Sequence, residues 1–144
     1  AGAAGTGGVK VLFVARVGNK RLWADEQAVL KQLEEDPHLL RAGGGGGHQK
    51  PRVQRVLLEQ LSVERQCRAL ASTHVIVAMH GSSLGNLFCA SPGAVVVEVF
   101  PPGFHLDMFA VLSAAVDVYN LHVTDGDLLT PLTMGHPGGP WTNN

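Results

Sequence analysis

Three stretches of this chain, residues 9–15, 74–79 and 94–100, are apolar and rich in β-branched residues at consecutive positions, not at alternate ones. A strand with one wet face alternates; a strand with two dry faces does not. Each stretch therefore reads as a strand covered on both sides, which calls for a mainly parallel sheet between two layers of helices. The intervening segments agree. Asp25 precedes a helical pattern carried by Ala28, Val29, Leu30 and Leu33 and ended by Pro37. Ser62 is placed as the N-cap of a helix running to Ala71, with Glu64 favourable in its first turn. A short helix is expected from Leu84, after the turn that follows residue 79, and another over 104–116. Residues 53–58 and 118–123 supply two weaker strands. The predicted fold is α/β, a three-layer Rossmann-like sheet over residues 9–124.

The remaining segments are read as irregular. Residues 1–8 form a glycine- and alanine-rich leader expected to be flexible, without the basic start or apolar core of a signal peptide. With no initiating Met, the chain reads as a piece of a longer protein. The run from Gly43 to Gly47 loses too much backbone entropy on ordering to join an element, so 42–50 is expected as a flexible insertion. Residues 125–144, rich in Gly and Pro, are expected as an irregular tail.

Bulk chemistry excludes several functions. The net charge of −1 offers no long-range attraction to nucleic acid or an anionic membrane, and neither is expected as a partner. No apolar run approaches the roughly 20 residues of a membrane span. Cys67 and Cys89 allow at most one bridge and lack CxxC spacing, so each is read as a small buried hydrophobe. The histidines His38, His48, His105, His122 and His136 show no metal-ligand spacing, and His74 and His80 lie too far apart along one strand to share a zinc. No metal is expected.

Open parallel sheets bind ligands at the carboxyl ends of their strands. Arg16, His80 and Glu98 fall at or near such ends, so the functional site is sought there. The turn His80-Gly81-Ser82-Ser83, between a strand and an expected helix start, would present unpaired N–H groups, two hydroxyls and an imidazole to a phosphate. Arg16 would bring positive charge to the same anion. Glu98, in an otherwise apolar strand, must either be paired or face the cleft, where it would accept hydrogen bonds from sugar hydroxyls. A competing motif overlaps the turn. Gly81-Ser82-Ser83-Leu84-Gly85 satisfies G-x-S-x-G, the nucleophile elbow of α/β-hydrolases, and a triad of Ser83, Asp107 or Asp117, and His122 or His136 can be written down.

A longer pattern is far more specific. The stretches 61–66, 75–88 and 92–101, together with 11–16 and the acidic helix after Arg21-Leu22, resemble glycosyltransferase family 61 from residue 9 to about 119. The family pattern is a hydrophobic strand, H-G-A-G-L-x-N, L-F, then P-G, a valine strand and E-x-x-P. The resemblance implies the donor-side, carboxyl-terminal lobe of a GT-B-type enzyme. Such an enzyme transfers a sugar from a nucleotide donor, commonly UDP-linked, to a glycan or glycoprotein acceptor, without an essential metal. It also implies a missing amino-terminal lobe and a place in the secretory pathway, in the Golgi or endoplasmic reticulum lumen. Arg16, His80 and Gly81 would line the donor phosphates, with Ser82, Ser83 and Asn86 in the same loop. Glu98 would lie near the ribose or organise the site. No catalytic residue is assigned. Three features depart from the pattern, one of them the five-glycine insertion, which has no counterpart in it. Ser82-Ser83 replaces its A-G, which would weaken donor binding if the second glycine must be left-handed. His74 replaces the Asp that often opens the strand. A lobe that has lost its donor site would be a non-catalytic binding domain.

Overall fold

The computed structural model describes residues 7–18, 23–42 and 49–124. The expected leader, insertion and tail, with His48 and His136, lie largely or wholly outside these residues. Five strands, β1 (Lys10–Val14), β2 (Arg52–Val56), β3 (Val75–Met79), β4 (Val95–Val99) and β5 (Tyr119–Val123), form one sheet in the order β2-β1-β3-β4-β5. Every neighbouring pair is parallel. The α/β, Rossmann-like expectation is met.

Two apolar layers explain why the central strands carry no polar alternate. On one face Val11, Phe13, Val77, Met79 and Val99 pack with Trp23 and Val29. On the other, Leu12, Val14, Ile76, Ala78 and Val96 pack with Leu70, Leu84, Leu87 and Phe109. Helix α1 (Glu26–Glu35) covers the first face, with Asp25 accepting the Ala28 N–H at its amino end. Pro37 ends α1 as expected, yet it also begins α2 (Pro37–Ala42). A proline at the first helical position gives up no hydrogen bond, and Asp36 accepts from the N–H groups of His38 and Leu39. Helices α3 (Val63–Ala71) and α4 (Met108–Ala115) cover the second face, and Ser62 caps α3 through the Arg65 N–H.

Three expectations are corrected. No α-helix starts at Leu84: the chain makes two 3₁₀ turns, Ser82–Leu84 and Leu87–Cys89. These bury Leu84 and Leu87 against the sheet in less length than a helix needs. The helix expected over 104–116 is confined to α4, because Pro102 and Gly103 (φ 71°) turn the chain back first, with the Phe104 N–H donating to the Pro101 carbonyl. Cys67 and Cys89 are not isolated hydrophobes. They form a disulfide that joins α3 to the second 3₁₀ turn across 22 residues of sequence, with Cα atoms 4.9 Å apart. Spacing along the chain carried no sign of this, since a bridge depends on where the helix and turn are packed.

Candidate functional site

The strand order places a topological switch between β1 and β3. The chain leaves β1 toward β2 on one side and crosses back to β3 on the other, so the two connections diverge and leave a crevice at the carboxyl ends. Phe13 pairs with Val77 in the register of these strands. Arg16 lies two residues past the end of β1 and His80 one residue past the end of β3. Two of the residues singled out in the sequence, 64 positions apart, thus both follow the strand ends that flank the switch.

Beyond β3, Gly81 is extended (φ 158°) and the first 3₁₀ turn closes with the Leu84 N–H on the Gly81 carbonyl. The N–H groups of Gly81, Ser82 and Ser83 precede that bond and are not used by the turn. Ser83 takes no left-handed conformation; Asp117 alone among the described non-glycine residues has a positive φ. A serine at this position therefore carries no backbone penalty. The helix-dipole part of the phosphate argument does not apply to so short a turn. The N–H groups themselves remain.

His80 and Glu98 sit behind this turn. Glu98 pairs in register with Ala78 on β3 and His122 on β5, and its side chain lies on the α3–α4 face. It is fully buried (0% exposed) and does not face a cleft. Of the two readings open to it, the structure builds the paired one. His80 Nδ1 lies 2.5 Å from Glu98 Oε1, and Asn120 Nδ2 donates to Oε2 at 2.9 Å. A carboxylate only accepts, so this arrangement puts the His80 proton on Nδ1. The His80 ring is 4% exposed and lies between Phe100, Phe104 and Phe109, with centroids 5.0 to 5.2 Å away. It is a packed, oriented ring, not an open one.

Asn86 also faces inward. Its Nδ2 donates to Gln66 Oε1 at 2.6 Å, and Gln66 Nε2 donates to the Leu61 carbonyl, so Asn86 ties the turn to α3. Among the described residues the hydrolase triad is not assembled: Ser83 Oγ is buried without a hydrogen-bond partner, whereas a serine nucleophile needs a base within reach. His74 stands at the opposite, amino-terminal end of the sheet. There its Nδ1 accepts the Lys10 N–H at 2.9 Å.

Sequence reasoning missed one cluster. His105, Asp107 and His122 come together above the carboxyl ends of β4 and β5, their ligand-type atoms all within 4.8 Å of one another. His105 and Asp107 reach this place because the Pro102-Gly103 turn folds their loop back over the sheet. The pair H-x-D was visible in the sequence; its partner, His122 on the edge strand, was not.

Fold and site together define a Rossmann-like domain whose polar groups gather at the carboxyl edge of a parallel sheet. The chain belongs to the glycosyltransferase 61 family, whose model matches residues 7–97, a span that includes Arg16 and the whole 80–86 turn. It is also similar to the Protein O-linked-mannose beta-1,4-N-acetylglucosaminyltransferase 2 of Tetraodon nigroviridis, 32% identical over 93 residues. That match takes in 62% of this chain but only 16% of the relative's length.

Proposed function

We propose that this chain is the donor-side part of a family 61 glycosyltransferase that moves a sugar from a nucleotide donor, UDP-linked, to a hydroxyl of a glycan or glycoprotein. The observation that carries the reading is the position of Arg16 just after β1 and of the Gly81-Ser82-Ser83 turn just after β3, at the two strand ends that flank the switch point. A diphosphate in that crevice meets a guanidinium from one strand and backbone N–H groups from the next. The acceptor oxygen attacks the anomeric carbon, the bond from that carbon to the diphosphate oxygen breaks, and the leaving charge is stabilised by these donors.

His80 and Glu98 act one step back in this scheme. Glu98 orients His80, and His80 with its phenylalanine neighbours holds the turn in place. The acceptor site and the catalytic base are assigned to a second lobe, in a GT-B-type arrangement. No metal is assigned to this transfer chemistry. The Cys67–Cys89 disulfide supports a secretory-pathway lumen as the site of action, because such bridges persist in oxidising compartments.

Isothermal calorimetry with UDP tests the proposal. The full chain is expected to bind it, and Arg16→Ala to weaken the binding. A folded chain that binds no nucleotide would leave a non-catalytic domain as the better description.

A further inference from the structure

The cluster of His105, Asp107 and His122 has the geometry of a metal centre. His105 Nε2 and His122 Nδ1 are 2.8 Å apart, and Asp107 Oδ1 lies 3.5 Å from the first and 3.8 Å from the second. Ligand atoms at the usual 2.0–2.1 Å from a tetrahedral zinc are separated by about 3.3 Å, so three atoms spaced in this way outline one face of such a site. Two neutral imidazoles and one carboxylate suit zinc and similar first-row divalent ions, not magnesium or calcium.

Two further features lie outside the ligand set. His122 Nε2, on the far side of its ring, is buried with no hydrogen-bond partner and lies 3.6 Å from Glu98 Oε2. A metal on Nδ1 fixes the ring proton on Nε2, aimed at a buried carboxylate, which is the outer arrangement that metal-bound histidines use. Both rings also rest on buried Phe100, with centroids 4.7 Å (His105) and 4.9 Å (His122) from it. The face is held ready and needs only a small opening of the His105–His122 contact. His105 and Asp107 are exposed, so the fourth position looks outward to solvent.

We propose that His105, Asp107 and His122 bind one zinc-class divalent cation, with Glu98 as the outer partner of His122 and a solvent-facing fourth position for water or an anionic oxygen. The ion would pin the 104–107 loop to β5. Through Glu98 it would share a carboxylate with His80. The competing arrangement is a plain imidazole-to-imidazole hydrogen bond, which would take up no metal.

The test uses the metal alone and is independent of nucleotide binding. The full chain, stripped with chelator and dialysed, is titrated with zinc against a chromophoric chelator and then with cobalt to read coordination from its visible bands. One equivalent is expected, with the strong bands of four-coordinate cobalt. His105→Ala and Asp107→Asn change exposed side chains, and Asp107 caps α4 with no side-chain bond, so both variants should fold as judged by circular dichroism. Each should weaken zinc by more than about 100-fold, beyond the loss of an outer-shell partner alone. Failure of the parent chain to take up zinc, or uptake unchanged in both variants, would overturn the proposal.

Discussion

Glu98 accepts hydrogen bonds from His80 at 2.5 Å and Asn120 at 2.9 Å while wholly removed from solvent, so one carboxylate joins β3, β4 and β5 at the edge where the site lies. Its position on β4, between β3 and β5, makes it a structural strut as well as a neighbour of the site. The His80 ring that faces it is 4% exposed and has little water to fall back on.

Removing that acceptor should therefore be expensive. Glu98→Ala is expected to lower stability by about 3–5 kcal/mol, because it leaves buried donors unpaired. Glu98→Gln should cost about 1–3 kcal/mol, since an amide can accept from one partner but presents its own N–H groups to the other. Urea denaturation measures both. A loss under about 1 kcal/mol for the alanine variant would mean that the network contributes little.

The disulfide closes a loop of 22 residues, for which chain entropy gives about 3 kcal/mol. Reduction, or Cys67→Ser with Cys89→Ser, should lower stability by about that amount in denaturant. Thiol titration of the native chain should find no free cysteine. Full reactivity of both thiols in protein purified from an oxidising compartment would contradict the bridge.

Ser83 Oγ is buried and unpartnered. Ser83→Ala is expected to leave stability unchanged or raise it by about 1 kcal/mol, since the lost hydroxyl made no bond. If UDP affinity also stays unchanged, the Ser83 hydroxyl is no part of the donor site. A drop in affinity would show that the orphaned oxygen finds its partner on the ligand.

For Arg16 the two readouts should separate. Arg16→Ala should weaken UDP by roughly tenfold or more, the effect of about 1.5–3 kcal/mol from a charged hydrogen bond. Unfolding free energy should move by about 1 kcal/mol or less, because Arg16 is half-buried and outside both apolar layers. Equal losses of binding and stability would make Arg16 a folding residue.

Sequence pattern alone determined the layer architecture, and it pointed to the carboxyl edge and the turn at His80 as the place to look for a site. Apolar runs without alternation admit few other folds, and the strand ends fall where those runs stop. The caps at Asp25 and Ser62 were legible for the same reason: their bonds are local. What tertiary structure decided were the partnerships between strands and loops far apart in the chain. Glu98 could have faced a cleft or a partner, and the choice rested on β5 bringing Asn120 alongside and β3 bringing His80. The Cys67–Cys89 bridge and the gathering of His105, Asp107 and His122 arise in the same way. At the turn after His80 the expected helix became a 3₁₀ turn, because burying Leu84 and Leu87 against the sheet outweighed local helix preference, and the imidazole turned inward to Glu98.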